Sequence, residues 1–129
     1  MTERIEIKTS QDVVRVRQRV RALAIEAGLS LVDQTKIVTA ASELARNTLE
    51  YGGGGTADME VLNGANRGVR LTFADEGPGI NDLEAALRDG FSTGDGLGLG
   101  LGGAKRLSNE FKIDSAPGKG TRVVIARWK

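Results

Sequence analysis

The sequence predicts a two-layer α/β sandwich, with a mixed, mainly antiparallel sheet covered by helices on one face. Two observations carry this. Period-2 and period-3.6 apolar patterns alternate in the order strand, two helices, two strands, loop and helix, two strands. Turn-forming glycines, prolines and asparagines separate the segments, and such an order closes most economically as helices packed on a sheet.

Each element follows from local pattern. Arg4 to Lys8 alternates as a strand. Ser10 offers an N-cap to a helix from Gln11 to Ala27, whose apolar positions Val13, Val16, Val20, Leu23 and Ala27 recur at helical spacing, and Gly28 closes it. Ser30 caps a second helix over Leu31 to Glu50, stopped at Tyr51 and the run Gly52 to Gly55. Thr56 to Asn63 and Val69 to Asp75 read as strands joined by the turn from Gly64 to Gly68. Gly77-Pro78-Gly79 breaks the chain, and Leu83 to Arg88 forms a short helix. A further helix is expected from about Gly102 to Glu110. Phe111 to Ser115 and Thr121 to Trp128 follow as strands around Pro117-Gly-Lys-Gly120.

Composition narrows the function. A length of 129 residues suits one domain, 1–129, with a substantial core. The chain has no cysteine, which excludes disulfides, thiolate metal sites and a cysteine nucleophile and fits a reducing cytoplasm. It has no histidine, which excludes a serine-hydrolase triad and a phosphohistidine on this chain. A net charge of +1 gives no argument for nucleic acid. No apolar stretch reaches the length of a membrane span, and no signal-peptide core is present.

The richest segment is Gly94 to Gly103, in which six of ten residues are glycine. Bare backbone lets N–H groups approach a ligand closely, and a helix starting behind it aims a positive dipole end at the same place. Phosphate is the commonest ligand for such a design. Gly98, Gly100 and Gly103 satisfy G-x-G-x-x-G in form, but no strand precedes them and no βαβ unit surrounds them. The protein-kinase glycine loop lacks its downstream partners, and Gly118-Lys119-Gly120 lacks the Ser or Thr of a P-loop.

Three spaced segments, taken with that run, identify the design. They are Ser42-Glu-Leu-Ala-Arg-Asn47-Thr, in which Glu43 and Asn47 share a helix face, Asp75-Glu-Gly77-Pro-Gly79-Ile, and Gly118-Lys-Gly120-Thr121. In this order they resemble the N, G1 and G2 boxes of the GHKL (Bergerat-fold) ATPases, over essentially the whole chain. Within that superfamily the phrases Ser42-Glu-Leu-Ala-Arg-Asn, Asp89-Gly-Phe-Ser-Thr93 and Lys105-Arg-Leu are similar to the RsbT-type serine/threonine switch kinases of bacterial stressosomes.

The resemblance implies roles. Asp75 accepts the adenine amino group, while Gly77 and Gly79 let the purine lie against backbone. Asn47 binds the Mg²⁺ that bridges the phosphates of ATP. Glu43, one turn earlier, is the general base or orienting group for the incoming hydroxyl. Gly96, Gly98, Gly100 and Gly102 form the lid and phosphate loop, with Leu97, Leu99 and Leu101 packing it onto the core. Lys105 and Arg106 begin the following helix, and one of them is a candidate phosphate contact, with a solvated helix face as the alternative. Thr121 supports the adenine end through Asp75 and water. The arginines at 15, 17, 19 and 21 receive no role.

Two departures shape the function. Histidine kinases of the superfamily carry Lys or Arg three residues after the N-box Asn, where this chain has Glu50. Gyrase-, MutL- and Hsp90-type ATPases complete their site with a second domain, which is not expected here. The expectation is therefore a cytoplasmic kinase that phosphorylates a STAS-domain antagonist, together with a STAS-containing scaffold, and then engages an effector such as a phosphatase. Partners in nucleic acid or membrane are not expected. The alternatives are an ATP-bound anti-sigma-type regulator with little turnover and a simple ATPase.

Overall fold

The computed structural model describes residues 2–87 and 101–129. Its elements are β1 (Thr2–Ile7), α1 (Ser10–Glu26), α2 (Leu31–Glu50), β2 (Gly55–Leu62), β3 (Gly68–Asp75), α3 (Leu83–Ala86), α4 (Leu101–Arg106), β4 (Glu110–Ser115) and β5 (Thr121–Trp128). The strands form one sheet in the order β1-β2-β3-β5-β4, and all four pairings are antiparallel. The sheet expected to be mixed and mainly antiparallel is antiparallel in all four pairings, within the expected sandwich. The β3-to-β5 connection brings β5 back against β3 in the opposite direction, and β4 joins the outer edge through a hairpin.

Alternation along the strands puts one face under the helices. Ala57 and Met59 of β2, Val69, Leu71 and Phe73 of β3, and Val123 and Ile125 of β5 are buried. The apolar stripes of α1 (Val13, Val16, Val20, Leu23) and α2 (Ile37, Ala41, Leu44) close over them.

Helix ends follow their local chemistry, with one shift. Thr9, not Ser10, caps α1, because Asp12 reciprocates: its carboxylate accepts from the Thr9 N–H at 3.0 Å while Thr9 Oγ1 accepts from the Asp12 N–H at 3.3 Å. Gly28 closes the turn at φ +81°, with the Leu29 N–H donating to the Ala24 carbonyl at 3.0 Å. Ser30 accepts from the Asp33 N–H and starts α2 where expected. The helix expected over Gly102 to Glu110 is shorter, since β4 takes Glu110 into the sheet and Arg127 Nη1 fastens the Leu107 carbonyl at 3.3 Å. Among the described residues no helix is long and apolar enough to cross a membrane.

At about 1.5 Å per residue, the twenty residues of α2 run roughly 30 Å. They carry the chain from the Ser30 cap to the end of the sheet where β3 finishes. The candidate site is built at that end.

Candidate functional site

Four segments distant in sequence interlock at the end of β3. Asp75 stands opposite Gly55 of β2 and Thr121 of β5 in the sheet register. Its Oδ1 accepts from the Gly77 N–H at 2.9 Å, an Asx turn that swings the chain into the Gly77–Ile80 corner. Gly79 adopts φ +78°, and a Cβ there would collide with the Ala116 carbonyl. Gly120 adopts φ +73°, and a Cβ there would strike the Asp75 carbonyl. The Gly118 N–H donates to the Pro78 carbonyl at 2.7 Å. The two glycine turns, about forty residues apart, are therefore one packed unit, and their left-handed backbone is what glycine supplies.

The end of α2 seals the other side. Tyr51 Oη donates to the Gly79 carbonyl at 2.9 Å. The Gly52 N–H donates to the Asn47 carbonyl at 3.1 Å, which lays Gly52 flat against Asp75. A Cβ on Gly52 would overlap the Asp75 carboxyl carbon, and one on Gly77 would come within 2.7 Å of Gly52 Cα. Gly52→Ala is accordingly expected to push the carboxyl out of place, costing about 1–3 kcal/mol of stability and weakening binding of the nucleotide expected from the sequence. Thermal denaturation and an ATP titration on the same sample check both, and a variant with unchanged values in each would refute the packing argument.

Between these segments lies a mostly apolar pocket. Leu44, Asn47, Thr48 and Tyr51 line it from α2, Phe73 and Asp75 from β3. Ile80, Leu101, Thr121 and Val123 complete it. An apolar slot with a few placed polar groups suits a flat aromatic ligand with a polar edge. Burial holds the Asp75 carboxyl above the ordinary carboxylate range, against the opposing pull of the Gly77 and Thr121 N–H groups. A half-buried carboxylate is costly to keep charged, and a ligand donor would offset that cost.

The expected site residues fall as follows. Asp75, Gly77, Gly79, Thr121 and Asn47 come together at or around the pocket. Glu43 lies one turn before Asn47 on α2, partly exposed, with a carboxylate oxygen 3.2 Å from Arg46 Nη1. Gly102 is buried in the six-residue α4, and Lys105 is exposed one turn beyond Leu101. Gly96, Gly98 and Gly100, with Leu97, Leu99 and the Asp89–Thr93 phrase, lie outside the described residues. Sequence reasoning does not single out Tyr51, Gly52 or Ser115 as site residues. The Tyr51-Gly52 break directly after the Glu43–Asn47 face is the signal that could have found the first two.

Comparison with known proteins agrees with this fold. Residues 32–129 match the family described as histidine kinase-, DNA gyrase B-, and HSP90-like ATPase. The chain is 44% identical over 125 residues to the serine/threonine-protein kinase RsbT of Bacillus subtilis (strain 168), covering 96% of this chain and 94% of that one. It is 32% identical over 124 residues to the anti-sigma F factor of Halalkalibacterium halodurans, covering 92% and 85%. Among solved structures, the RsbU and RsbW domains of a Mycobacterium tuberculosis protein superpose with a TM-score of 0.69 at 24% identity. That match covers 99% of this chain and 32% of the other, and it speaks to the fold alone.

Proposed function

Because the chain belongs to the histidine kinase-, DNA gyrase B-, and HSP90-like ATPase family and, within it, to the RsbT-type serine/threonine kinases, we propose that it phosphorylates a partner protein from ATP and Mg²⁺ in a bacterial partner switch. One observation carries the reading beyond family membership. Glu43 and Asn47 share a face of α2, and the chain just past that helix packs Gly52 against Asp75 at the end of β3, so a carboxylate and an amide on one helix lead toward an aspartate on the neighbouring strand.

In this reading Asp75 accepts the adenine amino group, Gly77 and Gly79 admit the purine to the backbone, and Thr121 supports the same edge. Among the described residues no group of three or more acidic, His or Cys side chains could hold a metal. A Mg²⁺ would thus take most of its ligands from phosphate oxygens and water, with the Asn47 amide oxygen as the protein's contribution. When bound, the ion neutralises charge on the phosphates. Gly96, Gly98, Gly100 and Gly102 supply backbone N–H groups to the phosphates, and Lys105 a charge. Glu43 orients the attacking serine or threonine hydroxyl and takes its proton as the new P–O bond forms and the bond to ADP breaks.

The acceptor is a STAS-domain antagonist or scaffold in the cytoplasm. Phosphate adds about −1.5 to −2 charges to the interface, and the repulsion and desolvation it brings release the kinase to its effector, such as a phosphatase. The likeness to anti-sigma F factors favours one second reading, a nucleotide-dependent binding regulator with little turnover. Labelled ATP decides between them. With Mg²⁺ and a STAS-domain protein encoded beside this chain, transfer of the γ-phosphate to that protein supports the kinase. Nucleotide-dependent complex formation without transfer supports the regulator, and free phosphate alone supports a simple ATPase.

A further inference from the structure

Ser115, the last residue of β4, has a saturated hydroxyl behind two residues of the pocket lining, Ile80 and Thr121. Its Oγ lies 2.9 Å from the Gly120 carbonyl, 2.9 Å from the Ile80 nitrogen and 2.9 Å from Thr121 Oγ1. A serine hydroxyl carries one proton and two lone pairs. The Gly120 carbonyl can only accept, so the Ser115 proton goes there. The Ile80 N–H occupies one lone pair. The contact with Thr121 must then run the other way, with Thr121 donating and Ser115 accepting.

Thr121 has no other proton on its side-chain oxygen, so toward the pocket its Oγ1 offers lone pairs alone. Asp75 stands opposite Thr121 in the β3–β5 register, and as a carboxylate it too can only accept. The polar wall formed by these two side chains therefore presents acceptors and no donor.

We propose that Ser115 is a positioning residue that sets the choice of nucleobase, holding the Thr121 proton away from the pocket so that the wall selects a purine with a 6-amino group over one with a 6-keto group. An amino group brings two N–H donors to this wall. A 6-keto purine sets oxygen lone pairs against these acceptors where the amino group would donate, and its one donor on this edge, the ring N1–H, lies at the next ring position, so the match is poorer, which is the costly side of hydrogen-bond recognition. Ser115 itself touches no base. It acts through Thr121, and through the Ile80 N–H it fixes the Gly77–Ile80 corner against the β4–β5 hairpin.

The role of Ser115 rests on reading the pocket as a purine-nucleotide site, and the test separates the two. Dissociation constants for ATP and for inosine triphosphate, its 6-keto counterpart, are measured with the full chain. The variants are Ser115→Ala, Ser115→Thr, Thr121→Val and the double Ser115→Ala/Thr121→Val. Wild type is expected to prefer ATP. Ser115→Ala frees the Thr121 proton to turn toward the ligand, and should shrink that preference about five- to tenfold, while Ser115→Thr preserves it. Thr121→Val removes an acceptor and should also shrink the preference. In that background Ser115→Ala should add nothing, because the effect runs through the missing hydroxyl.

An unchanged ratio in Ser115→Ala overturns the inference, as does an equal change with and without the Thr121 hydroxyl. If Ser115→Ala does not fold, the direction of Thr121→Val decides: a larger preference for ATP would mean that Thr121 donates into the pocket. Failure of wild type to bind either nucleotide would overturn the pocket reading itself. ATP binding with the wrong variant pattern would overturn only the role of Ser115.

Discussion

Replacing Asp75 by asparagine is expected to weaken ATP binding about a hundredfold or more. The side chains are nearly equal in size, so the introduced amide oxygen can keep the contact with the Gly77 N–H that shapes the turn. The second carboxylate oxygen becomes an NH₂ group. In the proposed site it would face the adenine amino group and set donor against donor, so that the wall no longer matches the base. Stability should move the other way. Burial already raises the Asp75 pKa, so the folded protein carries a penalty for the charged form. A carboxyl with a raised folded pKa binds its proton more readily folded than unfolded. Folding without nucleotide is therefore favoured as pH falls through the range just above the usual aspartate value, and the penalty is fully present above it. The neutral amide escapes that penalty at every pH. Without nucleotide, Asp75→Asn should melt no lower than wild type at neutral pH. ATP affinity of wild type should fall on acidification, beginning above the ordinary aspartate range, and the residual affinity of the variant should be flat there. Calorimetric titration and thermal melts across pH test the set. Unchanged ATP affinity in Asp75→Asn would remove Asp75 from the site.

Much of this arrangement is legible in sequence because it depends on neighbours in the chain. Ser30 caps the helix it precedes, Gly28 ends the helix it follows, and Asp75 sits two residues before the glycine whose N–H donates to its carboxylate. Each is a contact within a few residues, which local pattern encodes. Thr9 displaces Ser10 as the cap because the choice turns on Asp12, whose acceptance of the Thr9 N–H a single-residue preference does not contain. The direction of β5 is not local either. Nothing near Thr121 states that it will lie antiparallel to β3, with Asp75 as its partner.

The same distinction separates the candidate residues that the sequence pattern singles out from those that only the fold brings forward. Asn47 and Glu43 announce themselves by a four-residue spacing on an amphipathic helix. Gly52 looks like one of four glycines in a loop, yet it differs from Gly53, around which a Cβ would meet nothing within 4 Å. Its importance comes from Asp75, more than twenty residues away. Ser115 reads as an ordinary end of a strand. Its role comes from Ile80, thirty-five residues earlier, and from the hairpin that returns Gly120 and Thr121 beside it. Turn glycines mark where such contacts are made, but only the fold states which residues make them.

Glu43→Gln is expected to lower phosphotransfer to the partner about 10²–10⁴-fold while leaving ATP affinity unchanged. Glu43 lies one helical turn before Asn47 and is not among the residues lining the pocket, so in the proposed site the base is held without it. Its effect should fall on kcat, the signature of an interaction made in the transition state. In a loose transition state the attacking hydroxyl gives up its proton late, so the position of the carboxylate is what matters most. The ion pair with Arg46, at 3.2 Å, can supply that orientation. Arg46 is half exposed, and a surface pair of this kind adds little to stability. Arg46→Ala is thus a useful companion: fold and ATP affinity should survive, while transfer falls by less than in Glu43→Gln because the carboxylate is present but less well held. Single-turnover transfer of labelled phosphate, compared with equilibrium ATP binding, checks both variants. If Glu43→Gln keeps full transfer, the carboxylate is neither base nor orienting group, and catalysis would rest on the nucleotide's own positioning. If instead wild type shows no transfer, yet forms a nucleotide-dependent complex that Glu43→Gln leaves intact, the binding regulator becomes the better account of the chain.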